Sequence, residues 1–328
     1  MRAAVLTAHG EPLHIAELDD PQPGPGEVVV RVMASGVNPL DIKIRRGDAA
    51  HARVQPPAVL GIDTAGVVEA VGADVDRFRI GDAVFGMTGG VGGLQGSLAE
   101  LVAVDARLLA RAPKALSMAQ AAAIPLGFIT SWEGLVDRAG VGEGDRVLIH
   151  GGAGGVGFLG IQLAIARGAE VFATGSARSH DPIRRIGATP IDYRARTVTD
   201  YVDTYTGGEG FDIVVDNVGG ATLDDSFVAV KRHTGRVVSA LGWGTHSLAP
   251  LSFRGATYSG VFTLMPLLTG RGREHHGSVV AEAAALAEAG KLVPRLNPRA
   301  FPLDAVNEAY AAVENGSAEG KVVVTPNS

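Results

Sequence analysis

Apolar residues run along the first 120 positions in short bursts cut by glycine and proline. The stretches "AAVLTAHG", "GEVVVRVMASG", "AGVVEAVG", "DAVFGM" and "LAELVAV" have the length and β-branched content of strands. "DDPQPGPGE" is a turn-rich connector within this β-rich part, because strands flank it closely on both sides. From about residue 123 the rhythm changes to alternating strand and helix. "RVLIHG" precedes the apolar helical stretch "FLGIQLAIARG", and "AEVFATGS" follows as the next strand. A helix is predicted to open at Asp181-Pro182, with the acid as N-cap and proline at the first helical position. "FDIVVDNVGG" and "GRVVSALGWG" are continuous apolar runs ending in glycine, which suits parallel strands buried on both faces. "YSGVFTLM" is predicted to close that sheet. The tail holds two helices, "SVVAEAAALAEAG" and "DAVNEAYAAVENG", and a strand, "KVVVT", whose periodicity fits either part of the chain. There is no internal repeat.

Composition narrows the classes. A chain of 328 residues exceeds the usual size of one core, so two domains are expected. With 45 glycines it favours a loop-rich α/β chain over a helical bundle. A net charge of −6 supplies no overall basic footprint for nucleic acid or anionic membrane. The absence of cysteine removes disulfides, a thiol nucleophile and thiolate-bound zinc or iron–sulfur centres. The start, "MRAAVLTAHGEP", has no signal-peptide core and no apolar run is long enough to span a membrane, so a cytoplasmic protein is the expectation.

The candidate chemistry begins at "HGGAGGVG", residues 150–157. A glycine turn from strand into helix leaves bare N–H groups at the positive end of the helix dipole, where a phosphate fits. The spacing Gly152-x-Gly154-x-x-Gly157 satisfies the dinucleotide fingerprint. Gly154, Gly155, Val156 and Gly157 are expected to offer N–H groups, and Gly152 to permit the approach. An NAD site usually places a carboxylate at the end of the next strand to take the ribose hydroxyls. Here that place reads "TGSARSH", with Ser176 and Arg178 instead, and the following stretch is rich in arginine: Arg178, Arg184, Arg185, Arg194 and Arg196. Such a patch suits a 2′-phosphate. Arg184, Arg185 and Arg196 also read as a solvated helix face.

Six segments in order resemble the medium-chain dehydrogenase/reductase superfamily, on its zinc-independent, NADPH-dependent quinone oxidoreductase side. They are "GVNPLDIKIRRG", "PAVLGIDTAGVVEAVG", "RIGDAVFG", "IPLGFITSWEGL", "VLIHGGAGGVG" and "GKVVV", and together they cover essentially the whole chain. The resemblance implies an α/β fold: a GroES-like, mostly β catalytic domain over residues 1–122 and 266–328, interrupted by a doubly wound Rossmann domain over residues 123–265. It places the active site in a cleft between the two. Zinc-dependent relatives carry a cysteine in the first segment and Gly-His-Glu in the second. This chain has Asn38 and Gly61-Ile62-Asp63, and Ile62 cannot ligate a metal. His275-His276 reads as a solvated surface pair, since adjacent histidines on a helix point apart.

The resemblance also implies roles residue by residue. Arg178 and Tyr193 match the contacts to the adenosine phosphate, with Ser176 beside them. Thr130 falls beside the nicotinamide; alternatively, it is a helix threonine bonding its own backbone. Asn217 ends a strand at the cofactor, where a turn asparagine is the alternative. Ser239, Leu241 and Phe262, the last in the final strand, fall where backbone groups hold the carboxamide. Lys321 reaches toward the pyrophosphate or is a surface lysine. Asn38 lies beside the nicotinamide and substrate carbonyl, where a neutral amide stabilises developing negative charge. Asp41 and Arg45 are expected to form an i,i+4 pair. His51 is the titratable group in the loop where relatives carry a tyrosine, and it reads also as an exposed loop histidine.

These readings converge on a metal-free oxidoreductase that passes a hydride from NADPH to a quinone or to a C=C bond conjugated to a carbonyl. A homodimer through the last strand of the Rossmann sheet is expected, since that edge is apolar and uncharged. The alternative is an NADPH-binding, crystallin-like or regulatory protein with little turnover. Zinc alcohol dehydrogenase is excluded by the missing ligands.

Overall fold

A computed structural model describes residues 1–327, which form two compact units, Met1–Leu126 together with the chain from Leu264 onward, and Gly127–Thr263. The boundaries expected at 122/123 and 265/266 therefore move to 126/127 and 263/264. The reason is local packing. The Met118–Ala122 helix lies on the strands of the first unit, and the helix Met265–Thr269 packs with the long helix Arg273–Glu288 there.

In the first unit the main sheet is built on Glu27–Gly36, whose valines are all buried and whose Arg31 and Met33 are exposed. Among the described residues its strand order is Phe301–Pro302, Val323–Thr325, Glu27–Gly36, Asp63–Val71, Ala83–Met87 and Leu109–Arg111, with Leu101–Asp105 also pairing Glu27–Gly36. The tail strand thus enters this sheet, antiparallel to its longest strand, with Val323 opposite Gly36 and Val324 opposite Ser35. This pairing brings the segment just before it, with Lys321, to the end of Glu27–Gly36. There the chain turns into the helix Pro39–Arg46, capped by Asn38 and begun by proline.

The second unit holds a parallel sheet ordered Thr189–Asp192, Glu170–Gly175, Arg146–His150, Ile213–Asp216, Arg236–Ser239 and Thr257–Gly260. The order reverses beside Arg146–His150, the point at which open α/β sheets bind ligands beyond their strand ends. Val147, Leu148 and Ile149 have no exposed surface, as a strand covered on both faces requires. Leu148 and Phe172 pack into a core with Tyr201, Phe211, Phe227 and Leu251.

Three expectations change. The helix expected to start at Pro182 begins two residues earlier, spans His180–Arg185 and has Ser179 at its N-cap position; Asp181 lies in its first turn and pairs with Arg184 at 3.0 Å. The closing strand stops at Gly260, so Phe262 lies beyond it, because Leu264 and Pro266 start a helix. His276 is buried, unlike its exposed neighbour His275: the helix presses Gly277 against the Arg107 backbone.

Candidate functional site

The turn after His150 is shaped by two packing glycines. A Cβ at Gly152 would lie 2.6 Å from the Ala173 Cβ, and one at Gly157 would lie 2.3 Å from the Gly151 carbonyl oxygen. Gly152 therefore permits the turn to pack on the neighbouring strand, and its N–H donates to Thr174 O. Gly154 caps the helix Gly155–Ala166, but its own N–H donates to Gly151 O at 3.0 Å, so it is not one of the donors. The N–H groups of Gly155, Val156 and Gly157 are the first three of the helix and have no i−4 partner. A Cβ at Gly155 would meet nothing within 4 Å. An open face with three convergent donors at a helix N-terminus fits a dinucleotide pyrophosphate.

Beneath the turn, His150 is buried with Nδ1 3.2 Å from Thr174 Oγ1, and that hydroxyl also accepts the Gly151 N–H. Burial pushes the His150 pKa down to about 4 despite the opposing charge of Asp216, so the ring is neutral at neutral pH. Across the reversal point, Asn217 Nδ2 donates to the His150 carbonyl at 3.2 Å. Asn217 thus ties together the ends of the two central strands.

At the end of Glu170–Gly175, Ser176 and Ser179 hydroxyls lie 3.4 Å apart, flanking a short turn that carries Arg178. The other arginines of this stretch are engaged. Arg184 pairs with Asp181, Arg185 donates to the Asp181 carbonyl, Arg194 lies over the Tyr193 ring, and Arg196 bonds Thr204 and lies over Tyr205. Arg178 is exposed and has no side-chain partner among the described residues. Tyr193 is exposed as well.

The remaining expected cofactor residues of this unit form a bonded network. Asp216, fully buried, accepts the Val218 and Gly219 N–H groups and the Ser239 hydroxyl at 2.7 Å. Ser239 Oγ in turn accepts the Leu241 N–H at 3.0 Å, and Ser239 O accepts the Val261 N–H. The Phe262 N–H donates to Glu133 at 3.3 Å, and its ring meets Trp243 edge-on. The N–H groups of Leu241 and Phe262 are thus engaged within their own unit. Thr130 Oγ1 lies 3.4 Å from Thr263 Oγ1, and both residues are buried. Asp216 was not singled out in the sequence; an acid ending an apolar strand before "NVGG" is the available signal, since a buried carboxylate must be bonded.

In the first unit, Asn38, Asp63 and Lys321 come together. Asp63 is fully buried; its Oδ2 accepts from Lys321 Nζ at 3.0 Å and from Asn38 Nδ2 at 3.0 Å, and its Oδ1 accepts the Leu126 N–H. Asn38 Oδ1 accepts a second Lys321 bond, and Nδ2 also reaches the Gly36 carbonyl. Both amide hydrogens of Asn38 are engaged within the cluster. Its expected role as a free donor to a substrate oxygen is revised accordingly: it orients Lys321. The ammonium has three hydrogens and uses two here. The expected Asp41–Arg45 pair does not form. Asp41 is the N3 residue of a capping box and accepts the Asn38 N–H, while Arg45 pairs with Glu314 at 3.0 Å. His51 lies on the short turn Ala50–Ala52, half-buried rather than exposed; burial and nearby Lys43 lower its pKa. Among the described residues no group of three or more His, Asp or Glu side chains is placed to hold a metal ion, and no helix is long and apolar enough to cross a membrane.

The family description "alcohol dehydrogenase GroES-like domain" matches residues 24–114, and "zinc-binding dehydrogenase" matches residues 186–324. The chain is 35% identical over 308 residues to the NADPH-dependent alkenal/one oxidoreductase, chloroplastic, of Arabidopsis thaliana, covering 92% of this chain and 72% of that protein. An alcohol dehydrogenase superfamily protein from Novosphingobium aromaticivorans has a crystal structure with TM-score 0.97 and 56% identity, over 99% of both chains. The quinone oxidoreductase from Coxiella burnetii aligns with TM-score 0.82 and 28% identity, also over 99% of both. With the reversed parallel sheet and the glycine cradle, these similarities establish that the chain is an oxidoreductase of the medium-chain dehydrogenase/reductase superfamily, in its quinone oxidoreductase-like family.

Proposed function

We propose that this oxidoreductase uses NADPH and reduces quinones or C=C bonds conjugated to a carbonyl, without a metal. The observation that carries the cofactor choice is Arg178. It is an unengaged guanidinium beyond the strand end where an NAD site has a carboxylate, with the Ser176 and Ser179 hydroxyls beside it. A 2′-phosphate offers the charge and acceptors such a group takes. The Arabidopsis relative, NADPH-dependent by name, supports the same choice.

When bound, the nicotinamide supplies the hydride. The protein's part is to hold and orient. Gly155, Val156 and Gly157 N–H groups take the pyrophosphate. The position of a zinc ligand is filled by Ile62, which offers no lone pair. With no strong electrophile among these residues to polarise an isolated ketone, a conjugated acceptor is the better substrate, because charge arriving at its β-carbon delocalises onto oxygen. The relative named an alkenal/one oxidoreductase and the one named a quinone oxidoreductase act on acceptors of this kind. We further propose a homodimer through the Thr257–Gly260 edge, an exposed strand without a charged residue.

The test is kcat/KM for NADPH and NADH in wild type and Arg178→Ala. One lost charge-assisted hydrogen bond is worth about 1.5–3 kcal/mol, so the variant should lose roughly ten- to a hundredfold with NADPH and change little with NADH. A wild type that prefers NADH, or equal losses with both, overturns the cofactor assignment.

A further inference from the structure

Trp243 is an exposed indole on the side of the second unit's sheet where its cofactor residues gather. It is 59% exposed, whereas Trp132, the other tryptophan of the chain, is buried. Trp243 follows the strand Arg236–Ser239 by four residues, beyond the carboxyl end at which open α/β sheets take their ligands. Contacts within this unit lead to it from the glycine turn. A Cβ at Gly151 would lie 3.2 Å from Val218 Cγ2, and one at Gly219 would lie 2.7 Å from the Leu241 carbonyl oxygen. The loop that carries the indole is fastened on both sides. Before it, the Leu241 N–H donates to Ser239 Oγ at 3.0 Å, and a Cβ at Gly242 would lie 2.2 Å from the Tyr258 hydroxyl oxygen. After it, His246 Nδ1 lies 2.8 Å from Asp224 Oδ1, and the His246 ring meets buried Phe227 edge-on. The indole itself meets Phe262 at 6.2 Å and 81°, a geometry that leaves at least one indole face uncovered by that ring.

We propose that Trp243 determines acceptor specificity, its indole face stacking on the ring of a quinone. The inference rests on the reading of this unit as an NADPH site. On that reading the adenosine phosphate sits at Arg178, beyond Glu170–Gly175, and the pyrophosphate at the turn after the neighbouring strand Arg146–His150. The nicotinamide then lies on the far side of the turn, over the ends of Ile213–Asp216 and Arg236–Ser239, the next two strands in the sheet. Neighbouring strands are about 4.8 Å apart, so both ends fall within about 10 Å of the turn. Trp243 thus stands at the reacting end of the dinucleotide. The face of an indole is electron-rich and a quinone ring is electron-poor, so offset stacking of the two is favourable. A short acyclic enone offers little planar surface to such a contact. Of the two acceptor classes the indole therefore selects quinones, and among quinones those with fused rings.

The experiment measures kcat and KM at saturating NADPH for 1,4-naphthoquinone and for methyl vinyl ketone, in the wild type, Trp243→Phe, Trp243→Leu and Trp243→Ala. In Trp243→Ala and Trp243→Leu the quinone KM should rise about three- to tenfold, with a smaller change for the enone, while Trp243→Phe keeps a ring and should stay within about twofold of wild type. A second readout needs no turnover. Naphthoquinone added to the complex with NADP+, which has no hydride to give, should quench tryptophan emission more strongly in the wild type than in Trp243→Phe, where Trp132 alone emits. An unchanged quinone KM, equal losses with both acceptors, or equal quenching in wild type and Trp243→Phe overturns the inference and leaves the proposed reaction standing. So does a wild type that reduces the enone but not the quinone. A wild type that reduces neither acceptor with NADPH overturns that reaction and the inference with it. Should Trp243→Ala not fold, Trp243→Leu and the emission arm decide.

Discussion

At Gly157 a methyl group would sit 2.3 Å from a backbone carbonyl oxygen, whereas at Gly155, two residues earlier, it would meet no atom within 4 Å. The two glycines are therefore separable by experiment. Gly157→Ala forces strand end and helix apart and should lower stability by about 1–3 kcal/mol, read as a reduced urea midpoint. Gly155→Ala should stay within roughly 0.5 kcal/mol of wild type yet weaken dinucleotide binding, because its methyl enters the open face that the N–H groups share. A Gly155→Ala variant that binds NADPH as well as wild type would show that the phosphate lies elsewhere. The six-letter spacing identifies the turn but cannot divide these tasks, since the difference lies in contacts with Ala173 and Gly151 that only the folded chain makes. Asn38 repeats the lesson. Its place at the head of the "NPLD" segment is plain in the sequence, but the direction of its amide hydrogens depends on Asp63, 25 residues away.

Among the elements, the outermost strand of the second unit carries the clearest consequence. Thr257 N–H and Val261 N–H donate inward to the neighbouring strand, so the N–H groups of Tyr258 and Gly260 face the open edge. With no lysine, proline or bulge to blunt it, such an edge is a template for another strand. The wild type should scatter light as a dimer at micromolar concentration. Gly260→Pro, which removes an outward donor and no inward one, should shift it toward monomer. A monomeric wild type would refute pairing at this edge. Buried parallel strands such as Arg146–His150 and Ile213–Asp216 were readable as unbroken apolar runs. Thr189–Asp192 was not, because it is short and contains Pro190, which a strand tolerates at a sheet margin. The tail strand was visible as "KVVVT"; its periodicity fits either part of the chain, while the family resemblance placed it in the first domain, where it pairs with Glu27–Gly36.

At the scale of the whole molecule, two units contribute different chemistry. The second supplies a glycine cradle and an unengaged arginine; the first supplies a partly buried ammonium held by Asp63 and Asn38. The division into a β-rich part and an α/β part was legible in the change of rhythm near residue 123. The boundary itself falls within the helix Pro125–Trp132, where periodicity is continuous and shows no break. The missing zinc ligands were equally legible, as a sequence without cysteine and with Ile62 where relatives use histidine. The proposed reaction is metal-free reduction of a conjugated acceptor by NADPH. It is tested most directly by following NADPH oxidation by exhaustively chelated protein across quinones, enones, simple ketones and aldehydes. Quinones or enones should turn over at the unchelated rate, with simple ketones and aldehydes slower by an order of magnitude or more. Activity that disappears on chelation and returns with zinc, or a preference for simple ketones, would contradict it.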